Sequence, residues 1–468
     1  MCFILVAKLS NSHDHSTNQQ KLGIFHIEGQ KVYANIAHGG TYWIQQADAH
    51  SFHLISDRIK YRQLAADRQH VYCGQQILAG LNVQQLKIIA HGYITDGQST
   101  WYCAPQSQEI ASLSTIQQTL QSLRYFLNLG TPPVTHDYPA FKLPASKQHY
   151  HALLDTDLLT DGTAVYYRGQ VLPYANPHTL RQIPQKYADG TYRPSPVYLA
   201  DGQRVYYQNT VLDLKDNPDI YVLVIDQSHQ ENYLFEPHTG QVYVRDLAFE
   251  QKYRPYRVIS QYGAHIQHTL FLSPSGIFYF DAEKRKIIAL RDNPFLNGNF
   301  KEIAPLVYAD GQQVLYLETK NAYQGHKRTM AKAYFSVLYR LNDAQTAAWQ
   351  QLKQYDNHYS LWQHGEHFYY FDQLGSSQLI QKTIYRIKDL ESLHMLQHAR
   401  LSPQQIRQLI KQDKLVEPQR TALLTVKSKV VYRDQKMIWF MIITILVLSF
   451  ILFLVQRYRI YRQSSPAT

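Results

Sequence analysis

Ala200-Asp201-Gly202-Gln203-Arg204-Val205-Tyr206-Tyr207 is the stretch on which the reading of this chain turns. Asp-Gly is a tight-turn signal, because both residues tolerate backbone angles that most side chains forbid, and the β-branched and aromatic residues that follow suit a pleated strand. The phrase returns at Ala66-Asp67-Arg68 through Val71-Tyr72-Cys73, at Thr95-Asp96-Gly97 through Trp101-Tyr102-Cys103, and at Thr160-Asp161-Gly162 through Val165-Tyr166-Tyr167. A further copy is Ala309-Asp310-Gly311 through Val314-Leu315-Tyr316. Such self-similarity marks stacked supersecondary units. The expected fold is mainly β, with repeated antiparallel β-hairpin units, a few short helices and one C-terminal transmembrane helix.

The residues between copies also match. Gln75-Gln76-Ile77-Leu78 after one copy corresponds to Gln170-Val171-Leu172 after another, and the upstream half-copy begins at Ala47-Asp48. The unit therefore reads as strand, tight turn, strand, a loop with a small-Asp or small-Asn step, an apolar anchor and a further strand. Asp67, Asp96, Asp161, Asp201 and Asp310, with Gly162, Gly202 and Gly311, are expected as structural turn residues, since a turn aspartate bonds its own downstream backbone. The repeat aromatics are Tyr72, Tyr102, Tyr166, Tyr167, Tyr206, Tyr207 and Tyr316. Consecutive strand side chains point to opposite faces, so one tyrosine of each pair is expected to pack inward and the other to face out. The chain holds 37 tyrosines, enough for both a core and an outer aromatic surface.

This pattern resembles the bacterial DKNYY repeat family over residues 45 to 105 and 155 to 212, and more weakly near 305 to 317. Asp-Gly replaces the family's Asp-Lys-Asn in most copies, and Cys73 and Cys103 stand where a second tyrosine is expected. The resemblance implies a bacterial protein of repeat architecture and assigns no catalytic residue.

At the other end, Met437 to Val455 is uncharged. A run of about 19 such residues is long enough to cross a hydrocarbon core as a helix, with Trp439 and Tyr458 as interfacial aromatics. From Arg420 onward there are eight Lys or Arg and one acid, Asp434, so of the net charge of +11 only +4 belongs to residues 1–419. A basic excess concentrated beside a membrane span points to anionic lipid rather than nucleic acid. Met1 to Lys8 offers too short an apolar stretch for a secretory signal. The resulting expectation is a single-pass protein of the bacterial inner membrane with its large domain cytoplasmic, the periplasm being the alternative.

The organisation read from the sequence is an N-terminal repeat region over 1–130, a Pro-containing connector over 131–149, a second repeat region over 150–395, a helical juxtamembrane segment over 396–436, the span over 437–456 and a basic tail over 457–468. Short helices are expected at 111–123, at 342–353 behind an Asp343 cap, and at 401–410 behind a Ser402 cap with Pro403 in the first turn. Cys73 and Cys103 are read as equivalent positions one repeat apart. In a cytoplasmic domain they are expected as small buried hydrophobes, and in an exported one as a disulfide.

Chemistry-bearing motifs are sparse. His13/His15, His149/His151 and His364/His367 are the nearest approaches to metal-ligand spacing, and surface histidine is the expected role of each. No catalytic, metal or cofactor residue is assigned. Two function classes remain, a membrane-anchored binding or scaffolding module using exposed aromatic strands and an enzyme whose site is assembled from distant residues. A periplasmic envelope-recognition protein is the third reading. A deep pocket with converging ionisable groups would favour the enzyme, and a broad exposed aromatic strip would favour the module.

Overall fold

In every copy the turn aspartate separates two three-residue strand segments that pair antiparallel in one register. Ala66 faces Val71, Thr95 faces Thr100, Thr160 faces Val165, Ala200 faces Val205 and Ala309 faces Val314, each followed by two further pairs. A third strand returns through a second tight turn, as Gln76–Ile77 does after Val71–Cys73 and Gln170–Val171 after Val165–Tyr167. The local code of aspartate, small residue and β-formers therefore produces short antiparallel meanders.

The computed structural model describes residues 20–429 except 111–116, 118–119, 122–123, 125–133, 155–156, 188–189, 226–230, 260–266, 291, 325–329, 344–346, 357 and 374–379. The chain forms two compact units, one of Met1–Ile183 with Pro194–Pro218 and one of Pro184–Arg193 with Asp219–Thr468.

In the first unit, side-chain alternation distributes the sheet of Tyr93–Thr95 and that of Leu158–Thr160 each between two cores. Ile94 and Cys103 enter one core with Tyr72, Cys73 and Phe25, whereas Tyr93 and Tyr102 enter the next with Leu159 and Tyr166. Leu158 and Tyr167 then enter a third with Leu199 and Tyr206. The second unit repeats this logic. Leu270, Leu272 and Tyr279 lie in one core while Phe271, Phe278 and Phe280 lie in another, and Tyr316 and Leu315 are likewise divided. Burying one aromatic ring removes roughly 150–250 Å² from water, or about 4–6 kcal/mol of gross transfer free energy, so a tyrosine-rich repeat stabilises each interface between neighbouring sheets.

The expected outward tyrosines are corrected by this stacking. Tyr72, Tyr102, Tyr166, Tyr167, Tyr206 and Tyr316 are all at most 4% exposed, and Tyr207 is half-buried. Both faces of a repeat sheet are interior, so opposite pointing does not mean exposure.

The helical expectations are also corrected. Among the described residues the α-helices of several residues are Leu390–His398 and Pro403–Lys411, and no helix is long and apolar enough to cross a membrane. The expected fold with a transmembrane helix is thus corrected to a mainly β fold of many antiparallel sheets in which, among the described residues, no helix can span a membrane; residues 437–456, where the span was expected, and the tail 457–468 lie outside the described residues, as do His13 and His15 and most of 111–123. The helix expected behind Ser402 is present, with the Ser402/Gln405 capping box and Pro403 at its start. It packs Ile406 and Leu409, with Leu393 and Leu396 of the preceding helix, against the last sheet of the second unit.

Among the described residues of 342–353 there is strand where the helix was expected: Trp349–Tyr355 pairs with Tyr359–His364, and the Asp343 carboxylate is engaged by side chains of that sheet, while residues 344–346 lie outside the described residues. The segment 396–436, expected to be helical, leaves its helix at Lys411, where Asp413 takes a positive φ, and after Leu415–Val416 becomes a strand at Arg420–Lys429 because the strand Met330–Leu341 offers an unpaired edge. The anchor is Arg420, whose guanidinium meets the buried Glu318 carboxylate and lies 3.9 Å from the Tyr339 ring centre. Within 131–149, Ala140–Lys142 completes the sheet of Thr100–Cys103 and so belongs to the first unit's β structure.

Candidate functional site

The most repeated polar feature is the turn carboxylate. Asp67 Oδ1 accepts the N–H groups of Gln69 and His70 at 2.8 and 2.7 Å, and Asp201 Oδ1 accepts those of Gln203 and Arg204 at 3.0 and 2.7 Å. Asp96, Asp161 and Asp310 do the same two and three residues on. The following glycine carries the positive φ, at +85° in both Gly162 and Gly202 and +94° in Gly311, so the aspartate itself stays at the strand end.

The second carboxylate oxygen joins the turn to the rest of the repeat. Asp67 Oδ2 accepts the Tyr72 hydroxyl at 2.6 Å and the Asp48 N–H at 3.0 Å. Asp201 Oδ2 accepts the Tyr206 hydroxyl at 2.7 Å. In the copy at Asp96 the corresponding aromatic is Trp101, which has no hydroxyl, and Oδ2 takes the Asn82 N–H at 2.7 Å. Asp48, in the Ala47-Asp48 step, and Asn82, after Leu81, thus each give a backbone N–H to a turn carboxylate.

Burial alone would raise the Asp67 pKa, but the Tyr72 hydroxyl and the backbone N–H groups outweigh it and hold the carboxyl below its usual range. Burial likewise opposes the donors at Asp161, where the N–H of Ala164, the Thr163 hydroxyl and further donors bring the pKa to about 2. Burial, then the hydrogen bond and charge of Asp67, push the Tyr72 phenol up. Each of these carboxylates accepts several hydrogen bonds from its own turn and repeat, which is a structural role.

Cys73 and Cys103 are joined in a disulfide with their Cα atoms 5.9 Å apart, both fully buried. This replaces the expectation of two separate small hydrophobes. The register also corrects their equivalence, because Cys73 opposes Leu64 as Tyr102 opposes Tyr93, which places Cys103 one residue further along its strand. That single step turns Cys103 onto the face opposite Tyr102 and into the core that holds Cys73.

Ionisable side chains converge in the second unit around Asp343. His364 Nδ1 and His367 Nδ1 lie 2.8 and 3.2 Å from its carboxylate, and the Tyr369 hydroxyl donates to it at 2.6 Å. His364 is 2% exposed and stacked on Trp349 with centroids 4.4 Å apart, so the surface role expected for it is corrected. Among the described residues no group of three or more His, Cys, Asp or Glu side chains is arranged to hold a metal ion.

A cleft of about 670 Å³ opens in the first unit beside the Asp96 turn. Its floor is the turn itself, where the Thr95 hydroxyl accepts the Gly97 N–H at 3.1 Å and the Thr100 hydroxyl at 2.9 Å. One wall is the single 3₁₀ turn Val83–Gln85, capped by Asn82, and the other is the segment 146–150. Tyr150 is fixed there by donating to the Pro144 carbonyl at 2.8 Å and by an edge contact on Tyr166. The cleft is lined by the carboxamides of Gln84, Gln85, Gln98 and Gln148, together with Lys87, His149 and the apolar Leu86 and Ile89. These glutamines lie in ordinary polar loops, so only the approach of residues 146–150 to the Asp96 turn brings them to one opening. A smaller depression of about 370 Å³ in the second unit, lined in part by Phe335, Val337 and Tyr339, is mostly apolar.

The convergent ionisable groups and the larger cleft are thus in different places. No curated protein and no solved structure matches this chain. Residues 25–210 match the model of the DKNYY family, which takes in the copies at Asp67, Asp96, Asp161 and Asp201 but not the one at Asp310.

Proposed function

We propose that this protein is a non-catalytic binding module of an oxidising compartment, most simply one that recognises material of the cell envelope. The observation that carries the reading is the cleft beside Asp96, which is of ligand size and lined by four carboxamides and the hydroxyls of Thr95, Thr100 and Ser146, with few ionisable side chains, Lys87, Asp96, His149 and Tyr150, among them. Its one carboxylate, Asp96, is already occupied by three backbone N–H groups. The buried Cys73–Cys103 disulfide supports the compartment, since such bonds persist where the surroundings are oxidising and are rare in the cytosol. The repeat tyrosines, being interior, serve the scaffold and are not offered as the contact surface.

The test is co-sedimentation of the purified chain with isolated cell envelopes, with thiol labelling of protein taken directly from cells. The expected result is saturable binding to envelopes and labelling of Cys73 and Cys103 only after reduction. Absence of envelope binding, or free thiols at both positions in freshly isolated folded protein, would overturn the reading.

A further inference from the structure

The geometry points to the cleft beside the Asp96 turn as a site for a neutral oligosaccharide, an assignment that deepens the binding-module reading and rests on it. The chemistry of the lining selects the ligand class. A carboxamide presents an acceptor oxygen next to two N–H donors, and a sugar hydroxyl both donates and accepts, so a row of carboxamides can satisfy vicinal hydroxyls without any charge. Gln84, Gln85 and Gln98 are exposed at the rim of the cleft, and Gln148 approaches from the facing wall.

A strongly charged ligand is disfavoured because the lining carries one Lys, one His and one carboxylate, Lys87, His149 and Asp96, the last already accepting the N–H groups of Asn82, Gln98 and Ser99, against four neutral carboxamides. Leu86, Ile89 and the Tyr150 ring supply the apolar surface that a pyranose covers with its C–H face. The volume of about 670 Å³ falls inside the range of roughly 300–1,000 Å³ typical of small-ligand clefts.

The turn gives the site its rigidity. The Asp96 side chain ties Asn82, at the head of the 3₁₀ turn carrying Gln84 and Gln85, to the hairpin tip carrying Gln98. The backbone segments that carry three of the four carboxamides are therefore joined by one buried carboxylate, so binding has only their side chains to order.

Cellotetraose and tetra-N-acetylchitotetraose are titrated into the full chain and followed by calorimetry and saturation-transfer NMR. At least one is expected to bind with a Kd below about 1 mM, and the double variant Gln84→Ala/Gln98→Ala is expected to weaken it about tenfold, the equivalent of two lost hydrogen bonds. Gln30→Ala, at a distant exposed turn, is expected to leave binding unchanged, and both variants should keep the thermal midpoint of the parent because the substituted side chains are exposed. Failure of both sugars to bind at roughly 10 mM, or binding that the double variant does not weaken, would overturn the assignment. Envelope binding that persists undiminished in the double variant would overturn the cleft while leaving the module reading in place. Loss of envelope binding by the parent chain would overturn the module reading itself.

Discussion

The Tyr206 hydroxyl donates to the Asp201 carboxylate across 2.7 Å, and the Tyr72 hydroxyl does the same to Asp67 across 2.6 Å, more than a hundred residues earlier in the chain. The pair joins the two most conspicuous residues of the repeat, the turn acid and the strand aromatic five positions on. It explains why an aromatic with a hydroxyl occupies a position that is 0% exposed in both copies.

Removing the acceptor is expected to cost more than removing the donor. Asp201→Ala leaves the Tyr206 hydroxyl and the N–H groups of Gln203 and Arg204 without their partner, a loss of about 3–4 kcal/mol. Tyr206→Phe removes one bond and leaves a carboxylate that still has two N–H donors, for about 1–2 kcal/mol. Urea denaturation of the two variants should rank them in that order, and equal losses would mean that the carboxylate's backbone bonds contribute nothing.

Two glycines with nearly the same backbone angle should respond differently to alanine. Gly169 has φ +80°, its N–H donates to the Tyr93 hydroxyl at 2.9 Å, and a Cβ there would lie 2.7 Å from Cβ of Tyr102 and 2.9 Å from Cβ of Phe141. Gly202 has φ +85° and nothing within 4 Å of the added atom. Gly202→Ala is expected to cost about 1 kcal/mol from backbone strain alone, while Gly169→Ala adds steric displacement at a contact between repeats and should cost roughly 3 kcal/mol. Thermal melts of the two single variants check the difference.

The disulfide closes a loop of 30 residues in sequence separation. Chain-entropy arguments assign a loop of that size about 3–4 kcal/mol. The double variant Cys73→Ala/Cys103→Ala is expected to lose that much stability in denaturant titrations. Because both sulfurs are buried, reductant should cleave the bond at a rate limited by unfolding rather than by reductant concentration.

Acid should weaken the protein in two windows. Burial pushes the His268 pKa down to about 4 despite the opposing Asp281 charge, and its ring nitrogens lie 2.9 and 2.8 Å from the Ser336 and Ser428 hydroxyls. A histidine with a depressed folded pKa is protonated more readily in the unfolded chain, so its contribution is full above pH 6.5 and is lost as pH falls toward 4. Asp161, held at about 2 against an ordinary 3.8, contributes fully above pH 3.8 and loses its contribution as pH falls to about 2. The depressed Asp67, Asp96 and Asp201 act in the same sense. Stability measured at stepped pH should fall in both windows, and His268→Gln should flatten only the upper one.

The hairpins were legible because their causes are local. An aspartate bonding the backbone two and three residues on, followed by a glycine that accepts positive φ, acts within six residues, and the sequence shows every participant at Asp161 and Asp201. The Ser402 cap was legible for the same reason. Asp343 carried the same kind of local signal and became the acceptor of His364, His367 and Tyr369, side chains from more than 20 residues away.

By itself, then, the sequence determined the repeat and the residues of its turns, since short-range hydrogen bonding and backbone sterics decide them. Only the tertiary structure decided that Tyr166 and Tyr167 are both interior, that Cys103 lies on the Cys73 side of its strand, and that Arg420–Lys429 pairs as a strand. It also decided that glutamines from three segments share one cleft. The physical reason is that sheet stacking and edge pairing depend on what the opposite face meets, and that neighbour lies tens of residues away along the chain.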